Sequence, residues 1–263
     1  MRAEIYYFSG TGNSFRVAET LQKLIPEATL LPIPGLLNRR RIQTEAKTVG
    51  FVFPVHALCI PIALRRFLRR IEIQKDAYFF AVATREGTAF HGFAQINHLL
   101  HRSRQRLRAQ FTLTMLGSDP RPVGYRPPEK DDIEELRTRL DTELAGIAQT
   151  LCDRTLHLPK ETEPPIRSPY GRIGNFFFEH LVVLAHKGSE YLGGVNYFYA
   201  DESCTSCGIC ESVCLSGKIR LANQEKPVWQ HRVLCYMCFA CVNYCPQRSV
   251  TDQEYMGGGL THR

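Results

Sequence analysis

The sequence predicts an α/β doubly wound, five-stranded parallel sheet followed by a small α+β cysteine-rich domain. Three observations carry this. Across residues 1–150, short apolar runs alternate with stretches of helical periodicity, the pattern of a parallel sheet with crossover helices. Residues 153–172 contain Pro159, Pro164, Pro165 and Pro169, a linker composition. Beyond them, eight of the ten cysteines fall into two runs of identical spacing. The expected organisation is a sheet domain at 1–152, a Pro-rich linker with an apolar connecting helix at 153–195, and a cysteine domain with a short tail at 196–263.

The elements follow in order. Ile5, Tyr6, Tyr7 and Phe8 form a short apolar run suited to a buried strand. Val17, Ala18, Leu21, Leu24 and Ile25 recur at helical spacing, and Pro26 ends that helix. Residues 28–33 read as a second strand and 49–53 as a third, stopped by Pro54. A helix is expected at 62–71, a fourth strand at 78–83, a helix at 90–101 and a fifth strand at 111–116. Ile133, Leu136, Leu140, Leu144, Ile147 and Leu151 then mark one face of a long helix. Pro127 and Pro128 precede it, and Asp131 and Asp132 suit the positive end of its dipole. Residues 173–187 read as a very apolar helix, expected to pack between the domains rather than lie in a membrane interface. Tyr197, Phe198 and Tyr199 begin the cysteine domain as a strand.

The loop after the first strand is Ser9, Gly10, Thr11, Gly12, Asn13 and Ser14. Its hydroxyls and backbone N–H groups crowd a helix N-terminus, where an anion is stabilised. No Gly-Lys-Ser/Thr follows, so it is not a P-loop, and Phe15 occupies the third glycine position of the dinucleotide fingerprint. Neutral donors without lysine suit a phosphate monoester; an ordinary capped turn is the plainer alternative.

The first cysteine run is Cys204, Cys207, Cys210 and Cys214; the second is Cys235, Cys238, Cys241 and Cys245, followed by Pro246. Each reads C-x2-C-x2-C-x3-C, the spacing that holds [4Fe-4S] clusters. Zinc would be content with two C-x2-C pairs, leaving Cys210 and Cys241 surplus to a tetrahedral site. Thiols packed this densely without a secretory leader argue against disulfides. Two clusters are expected. Cys59 and Cys152 are left over, and both are expected to be buried free thiols.

The phosphate loop closely resembles that of flavodoxins, and the layout resembles the flavodoxin–ferredoxin fusion family over nearly the full chain. That resemblance implies FMN on a flavodoxin-like sheet, with its phosphate in the 9–14 loop. It implies that the loops Pro54, Val55, His56, Ala57 and Thr84, Arg85, Glu86, Gly87 enclose the flavin ring. Flavodoxins usually place an aromatic residue there, and only His56 stands in the first loop. Thr84, Glu86 and Gly87 would offer backbone groups to the ring edge, and Arg85 would face flavin charge or solvent. The resemblance to bacterial two-cluster ferredoxins implies crossed ligation. One cluster then takes Cys204, Cys207, Cys210 and Cys245, the other Cys235, Cys238, Cys241 and Cys214. Leu215 replaces the proline that usually follows the fourth cysteine.

These features lead to an expectation of electron transfer between two [4Fe-4S] clusters and FMN. FMN-dependent reduction of a small organic substrate and a cluster-bearing sensor with a degenerate flavin site are the alternatives. No second nucleotide-binding unit is visible for oxidising NAD(P)H. The formal net charge of +7 lies wholly in residues 1–150, which carry 22 Lys+Arg against 15 Asp+Glu. Arg39–41, Arg65, Arg66, Arg69, Arg70 and Arg102, Arg104, Arg106, Arg108 form basic clusters. No nucleic-acid motif accompanies them, so a solvated face or a docking face for an acidic redox partner is expected. The longest apolar run, 176–185, has ten residues and contains Glu179 and His180, short of a membrane span. With no apolar leader at the N-terminus, a cytoplasmic protein is expected.

Overall fold

A computed structural model describes residues 2–74, 76–86, 90, 92–118, 128–159, 180–181, 184–185, 188, 198–221 and 225–252. The chain divides into two compact units, Met1–His186 and Lys187–Arg263. Most of the apolar helix expected at 173–187 falls outside the described residues, as do Gly87 and Tyr197.

The first unit begins with β1 (Ala3–Tyr7), α1 (Asn13–Leu24), β2 (Ala28–Pro32) and α2 (Ile33–Leu36). It continues through β3 (Ile42–Gln43), β4 (Thr48–Pro54), α3 (Ile62–Leu68), β5 (Ile71–Glu72) and β6 (Tyr78–Arg85). It ends with α4 (Gly92–Leu100), β7 (Leu107–Thr114) and α5 (Lys130–Cys152). Five strands form one parallel sheet in the order β2-β1-β4-β6-β7. Counting only these strands, the order is 2-1-3-4-5, the flavodoxin-like doubly wound topology. The order reverses between β1 and β4, the switch point beyond whose carboxyl ends such sheets bind their ligands.

The central strands are apolar on both faces because helices cover both. On one face Val17, Ala18 and Leu21 of α1 and Leu140, Leu144, Ile147 and Leu151 of α5 pack on Ile5, Val52, Phe80 and Val82. Gly50 makes this possible, since a Cβ there would run into the Phe80 ring. Elsewhere in the sheet, Phe51 meets Phe67 of α3 at 6.3 Å between centroids and Phe79 at 6.4 Å.

The long helix α5 opens with a capping box of Glu129 and Asp132. Its buried face starts at Leu140 rather than at Ile133, which is 39% exposed. The reason is position: Arg139 Nη2 donates to the carbonyl of Thr114, the last residue of β7. The turns before Arg139 therefore run past the carboxyl edge of the sheet. Cys152 is exposed, correcting the expectation of burial. It follows the buried Leu151 by one residue, about 100° around the helix. Cys59 is buried. The segment expected to be linker begins as part of the sheet unit. His157 bridges Ala109 in parallel, covering the edge of β7, and stacks on Phe111 at 4.7 Å.

Ile42 pairs with Ile71 in a two-residue parallel ladder, which brings Arg39, Arg40 and Arg41 beside Arg69 and Arg70. Arg39, Arg40, Arg41 and Arg69 are exposed, with Arg41 paired to Glu72 at 3.3 Å. Arg65 is only 5% exposed, so it does not belong to the basic face. It lies on α3, whose every neighbour except Arg66 is buried.

The second unit repeats one design twice. Its strands are β8 (Phe198–Ala200), β9 (Ile219–Arg220), β10 (Val228–Trp229) and β11 (Val250–Asp252). β11 pairs with β8 and β10 with β9, both antiparallel. Each cysteine run passes through a loop and one helical turn, Ile209–Ser212 or Ala240–Asn243, and then enters a strand. Phe198, Cys210, Ile219, Trp229, Cys241 and Val250 form the core.

Candidate cofactor sites

The 9–14 loop leaves β1 at the point where the strand order reverses. Gly12 adopts φ +105°, a left-handed conformation that a side chain would strain, and it caps α1. Its N–H donates to Ser9 Oγ at 3.2 Å. The Arg16 N–H closes the first helical turn on the Gly12 carbonyl at 2.9 Å. No side chain caps α1, so the N–H groups of Asn13, Ser14 and Phe15 face outward at the positive end of its dipole. Gly10 and Thr11 are half-buried beside them. This loop can hold an anion.

The neighbouring loops are tied to it and to one another. Ser14 and Thr84 share a buried hydroxyl hydrogen bond of 2.8 Å, and the Val55 N–H donates to the Thr84 carbonyl at 2.9 Å. Thr84 is 3% exposed, and these groups join the loops rather than face a ligand. Asn13 Nδ2 donates to the Leu116 carbonyl at 2.9 Å, and the Met115 N–H to the Arg85 carbonyl at 2.7 Å. The segment 115–118, whose first two residues the sequence reading had assigned to the fifth strand, lies past the strand's end at Thr114 and is part of the same rim. Its signal was Gly117, where a Cβ would meet the Glu86 carboxylate.

His56 and Cys59 close a tight turn, with N–H···O bonds of 3.0 and 2.8 Å in the two directions. Its central residues, Ala57 (φ 45°) and Leu58 (φ 64°), are both left-handed. Non-glycine residues pay roughly 1–2 kcal/mol each for that conformation, so the rest of the loop holds the turn in place. The His56 ring meets Phe8 edge-on at 5.9 Å. Pro54 and Val55 are half-buried, Ala57 and Glu86 are exposed, and Arg85 is half-buried.

In the second unit, two solvent-open hollows are lined by cysteines. The first is lined by Cys204, Cys207, Cys210 and Cys245. The second is lined by Cys235, Cys238, Cys241 and Cys214. Each cavity therefore brings together the first three cysteines of one run and the last of the other. Among the described residues, no three His, Cys, Asp or Glu side chains are arranged to hold a single metal ion. A four-iron cubane makes a different demand, because its thiolates sit on four separate irons.

The backbone around the cavities suits a negatively charged guest. Ser206 and Met237 are left-handed at φ 55° and 53°, Gly208 and Phe239 at 78° and 56°, and Gly217 and Arg248 at 67° and 53°. These are equivalent positions of the two runs. Alternating left- and right-handed residues turn successive N–H groups into one concavity, as in many iron–sulfur sites. The Met237 N–H reaches Cys235 Sγ at 3.4 Å, and the Ser249 hydroxyl lies 3.3 Å from Cys245 Sγ.

Burial pushes the Cys210 thiol up to about 11 and the Cys238 thiol up to about 12, and it also raises Cys235 and Cys241. Cys245 departs from this. Burial opposes its thiolate, but the Ser249 hydroxyl and the N–H groups of Ser249, Gln247 and Val250 outweigh it and lower the pKa. Buried thiols of this kind ionise when a metal takes the proton's place. Lys218, which no sequence signal had singled out, lines the second cavity and is 1% exposed. Burial lowers its pKa, while Cys235 and Cys214 act to raise it.

No helix among the described residues is long and apolar enough to cross a membrane. No protein-family model matches the sequence, and no curated protein matches it. Solved structures show distant similarity over part of the chain. An azoreductase from Bacillus anthracis str. Sterne is 14% identical with a TM-score of 0.37, over 57% of this chain and 100% of that one. A flavodoxin from Streptococcus pneumonia TIGR4 is 16% identical with a TM-score of 0.33, over 56% and 99%. The rubredoxin oxygen:oxidoreductase of Desulfovibrio gigas is 15% identical with a TM-score of 0.35, over 58% of this chain. Only 36% of that longer protein is covered. The reading of the sites rests on the loops and cavities themselves.

Proposed function

We propose that this chain is an electron-transfer flavo-iron–sulfur protein that holds FMN at the carboxyl edge of its sheet and a [4Fe-4S] cluster in each cysteine-lined cavity. One observation carries the reading: two cavities, each lined by three cysteines of one run and the fourth of the other. When bound, the clusters would supply single-electron steps, and FMN would exchange one or two electrons.

The chain's own residues do the rest. The N–H groups of Asn13, Ser14 and Phe15, with Thr11 beside them, would receive the FMN phosphate. The Ser14–Thr84 and Val55–Thr84 bonds fix the loops around the ring. Cys204, Cys207, Cys210 and Cys245 would ligate one cluster, and Cys235, Cys238, Cys241 and Cys214 the other. The Met237 N–H already reaches Cys235 Sγ, and the other left-handed residues would turn further N–H groups toward the clusters. We take an acidic redox protein as the partner of the exposed arginines and the cytoplasm, where thiols stay reduced, as the setting.

Anaerobically purified protein should contain about eight iron, eight acid-labile sulfide and one FMN. Stoichiometric zinc without sulfide would overturn the cluster assignment. The crossed ligation has its own test. Cys245→Ala should abolish the paramagnetic resonance signal of the cluster built on Cys204, Cys207 and Cys210. Cys214→Ala should abolish the other. Loss of the mutated run's own cluster in each variant would contradict the crossing.

A further inference from the structure

The two cysteine runs can be superposed residue by residue, and one pair of equivalent positions breaks the symmetry. Four residues after Cys245 stands Ser249; four residues after Cys214 stands Lys218. Both side chains are 1% exposed, so both positions face the interior. Ser249 is neutral and lies 3.3 Å from Cys245 Sγ. Lys218 carries an ammonium. Its Nζ donates to the carbonyls of Gln230 at 2.8 Å and Val233 at 2.7 Å. Those bonds use two of its three N–H donors. The side chain lines the cavity of Cys214, Cys235, Cys238 and Cys241.

Lysine is almost never fully buried unless its charge is answered. Two carbonyls answer it in part, and a cluster bearing four thiolates would answer the rest. A cubane with four thiolate ligands carries about −2 when oxidised and gains one more negative charge on reduction. A fixed positive charge beside it stabilises the reduced form more than the oxidised one, because Coulomb attraction scales with the charge it faces. Among the described residues, no lysine or arginine lines the other cavity.

We propose that Lys218 makes the cluster held by Cys214, Cys235, Cys238 and Cys241 the electron-holding one of the pair, with the third N–H of its ammonium directed at that cluster's sulfurs. The inference rests on the cluster assignment above. The step it biases is a bare electron transfer: the Cys204 cluster is oxidised, the Cys214 cluster is reduced, and no bond or proton moves. The external reductant is the partner protein, or dithionite in the test.

The experiment is a dithionite redox titration of the full-length, two-cluster protein, followed by electron paramagnetic resonance. In wild-type protein labelled with nitrogen-15 at lysine side chains, the first cluster to be reduced should show a lysine nitrogen coupling. In Lys218→Arg that coupling should vanish while the order of reduction stays. In Lys218→Gln, which keeps two N–H donors without the charge, the same cluster should become at least tenfold harder to reduce. For one electron that is a fall of about 59 mV. The other cluster should be unmoved. A purely structural lysine would leave both potentials in place in Lys218→Gln, and that result would overturn the proposal. If Lys218→Gln assembles poorly, the wild-type coupling decides: a first-reduced signal without lysine nitrogen overturns it. Wild-type protein without iron and sulfide would remove both readings together, and would be seen before any potential is measured.

Discussion

Between residues 3 and 152 the chain buries Tyr6, Phe8, Phe51, Phe53, Phe67, Phe79, Phe80 and Phe90 almost completely, and its long strands run to eight residues. Between 198 and 252 the strands are two or three residues long, and two of the core's members, Cys210 and Cys241, are themselves candidate ligands. The first region can pay for its ordered backbone with apolar area. The second cannot, and small domains with such cores depend on staples such as metals. Its left-handed Ser206, Met237, Phe239 and Arg248 add strain that something must hold in place. In one unit the fold makes the site; in the other, on the proposed reading, the guest would help to make the fold.

The hardest test of that contrast is removal of the iron. Anaerobic chelation should abolish amide hydrogen-exchange protection across 198–252 and leave 3–152 protected, as followed by mass spectrometry. Retained protection in the cysteine unit would mean that its protein core suffices. The converse test is Phe80→Ala. Gly50 beneath it has no side chain to fill the hole, so the sheet unit should lose about 3–5 kcal/mol in urea unfolding. The iron content of folded protein should not change.

A smaller effect separates site from scaffold within the sheet unit. Thr11→Glu sets a carboxylate beside the expected phosphate and removes a hydroxyl. Flavin affinity should fall at least tenfold, or about 1.4 kcal/mol, with iron unchanged and urea unfolding nearly unmoved. Flavin retained at wild-type occupancy would place the phosphate elsewhere. The smallest expected effect concerns association. Replacing Arg39, Arg40 and Arg41 with Gln should slow reduction by an acidic ferredoxin severalfold at low salt and flatten its salt dependence. Charge steering acts on the encounter rate and reaches only about 8 Å at physiological ionic strength. A rate insensitive to both salt and substitution would leave these arginines as plain solvated surface.

The sequence by itself determined the sheet. Apolar runs at β1, β4 and β6 are continuous because those strands are buried on both faces, and such runs can be read without neighbours. β7 was placed four residues late at its start because it is an edge strand, where Arg106, Arg108 and Gln110 alternate with Leu107 and Ala109. Half-buried alternation hides a strand from a search for apolar runs. The cysteine spacing was equally plain, since C-x2-C-x2-C is local chemistry. Tertiary structure alone decided the rest. The β3–β5 ladder is too short to have a period, yet it gathers the exposed arginines and leaves Arg65 inside. Which fourth cysteine faces which cavity is a long-range choice that spacing does not record. Ser14 and Thr84, 70 residues apart, meet only because the crossover brings α1 against the end of β6. Lys218 looks like any lysine in the sequence. It becomes a buried charge beside one of two cavities only when the chain closes around it, because burial belongs to the fold and not to the residue.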